Sequence, residues 1–289
     1  MTALPVIVGM GGINAAGRTS FHQGYRRIVL DSLDATARQE TFLGLATLMN
    51  LVTLTDGVLK DAEGNVINEA DIEAQFGEQV LAGTLIRKIE KNHFDVDATP
   101  WQQKMTLTAS DEQQIVFETR RRDLPTPVPA SWQVEDLSDK KVKVTISADL
   151  AIKHDSTRDN PIKAAGQLPT GFDPATMYNS RSQPRGLQAT IFAATDAIRS
   201  TGLAWQHVMN SVEPDQIGTY SASVAGQVDD EGFGGLIRAR QQGDRVSTKQ
   251  LALGLNTMST DFINAYVTGN VGTTFTTSGA CATFLYNLR

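Results

Sequence analysis

From residue 185 onward, stretches with the apolar spacing of helices alternate with short β-branched runs, and that alternation confines the chain to an α/β design. Leu187, Ile191, Ala194 and Ile198 form one helical stripe, ending near Gly202. Gln216-Ile217-Gly218-Thr219-Tyr220-Ser221-Ala222-Ser223 then reads as a buried strand, and Gly226 opens the loop beyond it. A helix is expected over residues 230–242, acidic at its start and arginine-bearing near its end, an order that suits the helix dipole. Residues 273–278 read as a strand, and Ala280 onward as a helix.

The front half is less regular. Met1-Thr2-Ala3-Leu4-Pro5-Val6-Ile7-Val8-Gly9 reads as a buried strand running into glycine, and Ser20 is placed to cap a helix reaching about Leu30. Gly9-x-Gly11-x-x-Asn14 is similar to a dinucleotide fingerprint but lacks its third glycine. It also lacks an acidic residue about 20 positions on, so a tight strand-to-helix turn is the better reading. Residues 35–54 carry a helical stripe of Phe42, Leu45, Met49 and Val52, and residues 69–81 a second helical pattern. Between them Asp61-Ala62-Glu63-Gly64-Asn65 is a polar turn. Residues 113–119 and the alternating Lys141-Val142-Lys143-Val144-Thr145-Ile146 read as strands. Arg120-Arg121-Arg122 enters a connector stiffened by Pro125, Pro127 and Pro129, and residues 154–174 read as a loop. The arginine triplet suits either a solvated surface or the docking of an acidic partner.

Composition excludes several classes. No uninterrupted apolar run is long enough to span a bilayer, and the start lacks the basic leader of a signal peptide. A net charge of −6 disfavours nucleic acid as the main partner. A single cysteine rules out an internal disulfide framework and points to a reducing cytoplasm. His22, His93, His154 and His207 are scattered, and Asp56, Asp61, Glu63 and Asp71 miss the spacing of a calcium loop. No metal site is expected.

That one cysteine, Cys281, stands in Thr277-Ser278-Gly279-Ala280-Cys281-Ala282-Thr283, where a strand gives way to a helix among small residues. A thiol attacks as thiolate, and unpaired N–H groups at a helix start both lower its pKa and hold the oxyanion of an attacked thioester. The competing reading is a buried structural cysteine.

Gly269-Asn270-Val271-Gly272-Thr273-Thr274, a short strand and Gly279-Ala280-Cys281-Ala282-Thr283 together resemble the nucleophile segment of β-ketoacyl-acyl carrier protein synthases, condensing enzymes of the thiolase superfamily. Pro5-Val6-Ile7-Val8-Gly9, Phe172-Asp173-Pro174, the helix from Arg185, residues 217–226 and Phe284-Leu285-Tyr286-Asn287 agree in order, nearest the large bacterial type that initiates type II fatty acid synthesis. The resemblance covers residues 1–30 and 165–289. It implies the N-terminal half of a thiolase-like layered α/β/α fold, with residues 31–164 as a family-specific α+β insertion. Thr273 stands where proline is usual and Gly279 where threonine is usual, while Phe284 and Leu285 replace smaller residues.

The resemblance also implies the chemistry. Cys281 accepts an acyl group from acyl-CoA or an acyl-acyl carrier protein. The carbanion left when a malonyl-carrier extender loses carbon dioxide then attacks the acyl group, and no cofactor is required. Ala225 falls where the family lines its acyl pocket. Acyl carrier protein is the implied partner, in a cytoplasmic homodimer. The family's two supporting histidines come from the half of the fold after the cysteine helix. None of the four histidines here matches those motifs, and the chain stops at Arg289. It is therefore expected to be a truncated half that cannot condense by itself. The alternative is a non-catalytic interaction subunit that pairs with another thiolase-fold chain and shapes its acyl tunnel. A Cys–His hydrolase or transferase would need one of the four histidines brought to Cys281 by folding.

Overall fold

The computed structural model describes residues 6–110, 112–179, 182–221, 223 and 225–288. It divides into two compact units, one made of Met1–Arg87 with Gly166–Arg289 and the other of Lys88–Ala165. Among the described residues no helix is long and apolar enough to cross a membrane.

The smaller unit is antiparallel β. Lys141–Ile146 is the central strand of a three-stranded sheet, flanked by Ile115–Arg120 and Trp132–Asp136. The alternation read from sequence becomes burial: Val142, Val144 and Ile146 are all 0% exposed, packed against Ile115, Phe117, Leu124, Trp132 and Leu150. Phe117 and Trp132 meet edge to face at 5.7 Å. Thr99–Leu107 and Leu150–Arg158 pair along nine residues as a separate ribbon. The ribbon corrects the loop expected from residue 154, since His154 to Arg158 is strand.

The larger unit holds two apolar cores. The first is local in sequence and is built from Leu30, Phe42, Leu45, Ala46, Met49, Val52, Leu59, Ile67, Ile72 and Val80. The helix Ala35–Leu48 is capped by Asp34, which accepts from the Ala37 N–H, and it packs on the helix Ile72–Ala82. It is shorter than the stripe predicted. Asn50 takes a left-handed conformation (φ 59°) and ends it, so Val52 enters the same core from a strand, Val52–Thr55. The second core joins Leu187 and Ile191 of the helix Arg185–Ser200 to Phe262 of the helix Met258–Ile263.

The opening segment departs from the buried strand expected of residues 1–9. Met1 to Pro5 lie outside the described residues. Val6, Ile7 and Val8 form no strand and are 77%, 79% and 69% exposed. A β-branched run becomes a strand only where another edge accepts its hydrogen bonds, and no described strand pairs with this one. Ser20 does not cap a helix either. Its hydroxyl is fully buried and donates to Asp196, and the following α-helix is the short Gln23–Ile28.

Candidate active site

Two short parallel strands, Thr219–Tyr220 and Thr274–Phe275, carry the site. Both are shorter than predicted, and Tyr220 is half exposed rather than buried. Ala222, part of the strand predicted there, lies outside the described residues. Asn270 bolts the pair together from a position only 4% exposed. Its Nδ2 donates to the Ile217 carbonyl at 2.6 Å, while its Oδ1 accepts from the hydroxyls of Thr219 and Thr268. A chain of hydroxyls runs beneath. Ser221 donates to Ser259 at 2.6 Å and lies 3.2 Å from Thr260, which lies 3.0 Å from Thr276.

Beyond Phe275 the chain turns through Gly279 into a 3-10 turn, Ala280–Ala282, and then the helix Thr283–Leu288. Ala280 has φ 48°, a left-handed conformation that a side-chain-bearing residue adopts only when its surroundings impose it. Two contacts do so. The Thr283 hydroxyl accepts from the Gly279 N–H at 2.9 Å and donates to the Ala280 carbonyl at 2.8 Å. The Tyr286 ring lies over Gly279 so closely that an added Cβ would fall 2.0 Å from it and force the ring aside.

Cys281 is a free, exposed thiol. It opens on a cleft of about 600 Å³ lined also by Tyr220, Ser221, Thr283, Phe284 and Asn287. The buried structural cysteine is thereby excluded. No histidine lines the cleft among the described residues. Ala225 is exposed and is not among the residues lining it, and its neighbours Ala222 and Val224 lie outside the described residues. Asn270 and Thr283 stand within the segments that resemble the family's nucleophile segment, but no signal there assigned a role to either of them or to the hydroxyl chain. The one available signal was the cluster of hydroxyl and amide side chains around residues 268–283.

The other sequence candidates resolve structurally. A Cβ on Gly11 would fall 2.1 Å from the Ala197 backbone nitrogen, and the Gly12 N–H donates to Asp196 at 3.1 Å. Gly11 allows close approach to the helix Arg185–Ser200, and the Gly12 amide that a phosphate would need is taken by a carboxylate. Each of the three arginines is paired: Arg120 and Arg122 with Asp123, Arg121 with Asp136. A second cavity of about 440 Å³, walled by Arg18, Leu48, Phe172, Phe192, Asp196 and Arg199 among others, contains neither thiol nor imidazole.

No family model matches the chain. The structure is a thiolase-like α/β fold: it superposes on the crystal structure of the noncanonical ketosynthase FabY from P. aeruginosa with a TM-score of 0.92. That match covers all of this chain and 45% of that one, at 50% identity. In sequence the chain is likewise 50% identical over all 289 residues to the β-ketoacyl-[acyl-carrier-protein] synthase FabY of Pseudomonas aeruginosa. The resemblance to β-ketoacyl-acyl carrier protein synthases read from particular motifs thus extends along the whole chain. The chain spans about half the length of that curated relative, 46%.

Proposed function

We propose that this chain is the nucleophile-bearing part of a 3-ketoacyl-acyl carrier protein synthase of fatty acid biosynthesis, and that Cys281 is its acyl acceptor. The observation that carries the reading is an exposed thiol on a constrained strand-to-helix turn at the wall of an open cleft, in a chain 50% identical to a β-ketoacyl-acyl carrier protein synthase.

In the proposed reaction the Cys281 thiolate attacks the carbonyl of an acyl thioester. A new C–S bond forms, the old one breaks, and the departing thiolate takes up a proton. A malonyl thioester on acyl carrier protein then loses carbon dioxide, and its carbanion forms a C–C bond to the acyl carbon as Cys281 departs. A short acyl-CoA is the proposed primer and acyl carrier protein the proposed partner, in a cytoplasmic homodimer. Ala225 is retained as a proposed acyl-pocket residue, and residues 31–164 as a proposed family insertion. The second step requires groups that stabilise the carbanion and the oxyanion, and no imidazole of the described residues lines the cleft. The 289-residue chain is therefore proposed to take an acyl group without condensing it.

A second reading, a non-catalytic subunit paired with another thiolase-fold chain, draws on the apolar rim of the cleft. Phe284 and Leu288 of the cleft lining are 71% and 60% exposed, and Leu285 on the same helix is 63% exposed, apolar surface of the kind that partners cover. Incubation with acetyl-CoA followed by intact-protein and peptide mass spectrometry separates the two. Stoichiometric acetylation of Cys281, abolished in Cys281→Ala, is expected. Labelling no faster than that of urea-denatured protein refutes the acyl-acceptor reading and leaves the partner-subunit one.

A further inference from the structure

We infer that Thr283 is the positioning residue of Cys281: its hydroxyl fixes the peptide that presents the nucleophile. The inference rests on the acyl-acceptor reading of Cys281 and adds to it a residue to which neither the sequence motif nor the relative's name gives a role.

Thr283 is 6% exposed and lines the same cleft as Cys281. Its single hydroxyl makes two bonds of opposite sense, accepting from the Gly279 N–H and donating to the Ala280 carbonyl. The Thr283 backbone N–H also reaches the Ala280 carbonyl, so that oxygen is held from two directions. The held carbonyl belongs to the Ala280–Cys281 peptide. In a trans peptide the C=O and N–H point in opposite directions, so fixing this carbonyl fixes the direction of the Cys281 N–H and the path of the backbone leading to its Sγ.

The conformation held in this way is not one the chain would choose. A left-handed conformation is disfavoured for alanine because its Cβ crowds the following carbonyl oxygen, and the turn can relax once its tether is cut. Gly279 adds freedom on the other side, limited by the overlying Tyr286 ring. The hydroxyl ties the two ends of this turn directly to one another, inside the wider bracket formed by the Thr277 hydroxyl donating to the Asn287 Oδ1 at 2.6 Å. Attack on a thioester needs both the sulfur and an oxyanion donor in place, whereas alkylation of the thiol needs the sulfur alone. Loss of the tether must therefore harm acylation more than alkylation.

Thr283→Val keeps the shape and removes the hydroxyl, and Thr283→Ser restores it. Three measurements on the full chain decide the matter: amide hydrogen exchange at Gly279, the rate of Cys281 acetylation by acetyl-CoA, and its rate of alkylation by iodoacetamide. In Thr283→Val we expect Gly279 protection to be lost, acetylation to slow by roughly 30-fold and alkylation by only about threefold, a partial loss on the scale of a missing oxyanion donor. Thr283→Ser is expected to return all three toward wild type. Gly279 exchange or acetylation unchanged in Thr283→Val overturns the inference, as does equal slowing of both reactions that Ser does not rescue. If the wild-type chain takes no acyl group at all, the acyl-acceptor reading fails. The tether is then judged on alkylation, and a rate unmoved in Thr283→Val overturns it. Thermal melts of each variant identify one that has merely unfolded, in which case Thr283→Ala replaces Thr283→Val.

Discussion

Asp196 offers the most searching test of how the glycine segment is held. Its carboxylate is 3% exposed and gathers three donors from one short stretch of chain. They are the Gly12 N–H at 3.1 Å, the Ser20 hydroxyl at 2.8 Å, and the Arg18 guanidinium at 2.8 Å from Nε and 2.5 Å from Nη2. Hydrogen bonds to a charged group contribute about 1.5–3 kcal/mol each, which caps the loss in Asp196→Ala at about 9 kcal/mol. The partners are not equal. The Arg18 side chain is 30% exposed and regains water when released, so its share is discounted to about 1 kcal/mol. Gly12 is likewise near enough to solvent to be rehydrated, whereas Ser20 is 0% exposed and stays unsatisfied. The expected cost is then about 3–4 kcal/mol, within the range for breaking a buried ion pair from one side. Urea unfolding would report it as a lower midpoint. Hydrogen exchange should show the Gly12 amide losing protection before the core of residues 30–80 does. A double-mutant cycle with Arg18→Ala should return a coupling of about 1 kcal/mol. A cost below about 1 kcal/mol, or Gly12 protection unchanged, would refute the claim that Asp196 pins this segment.

Two further expectations follow from the same kind of reading. Gly11→Ala should destabilise by at least about 2 kcal/mol, because the added Cβ meets the Ala197 backbone, which cannot swing aside. Gly64→Ala meets no neighbour and should cost only the roughly 1 kcal/mol of a left-handed alanine, so similar melting points for the two variants would contradict the packing account. In the smaller unit the Lys163 ammonium, by hydrogen bond and by charge, holds the Asp97 carboxyl below its ordinary value of 3.8. A depressed carboxylate stabilises the fold fully above that value and surrenders the contribution only as pH falls through the lower, folded value. The Asp97 titration followed by NMR should therefore move upward in Lys163→Met. An unmoved midpoint would show that the pair does not form in solution.

Legibility followed the range of the forces involved. The helix Arg185–Ser200 and the strand Lys141–Ile146 were readable because each has one buried stripe or one buried face, which leaves a period in the sequence. The ribbon Thr99–Leu107 with Leu150–Arg158 was missed because residues 99–107 bury almost no side chain, so there was no alternation to find. Val52 was placed on the wrong element because it enters the same core as Phe42 and Leu45, and a stripe records which core a residue joins, not the backbone that brings it there. The opening β-branched run failed for the opposite reason. Its propensity is local, while the pairing that turns propensity into a strand comes from elsewhere.

For the site, the candidate nucleophile was legible without any structure. One thiol, small neighbours and a strand-to-helix boundary leave little choice, and local covalent chemistry does not depend on tertiary contacts. The family likeness was legible too, since the motifs that carry it are contiguous. Folding alone set how the strands beneath that thiol are tied and how the glycine segment is pinned elsewhere in the unit. Asn270 reaching Ile217, Ser221 reaching Ser259, and Asp196 gathering Gly12, Arg18 and Ser20 are contacts across 38 to 184 positions of chain. The same is true of why Gly11 must be glycine. Such contacts carry no period and no spacing, because a hydrogen bond or a van der Waals clash is set by distance in space. That distance exists only once the chain has folded.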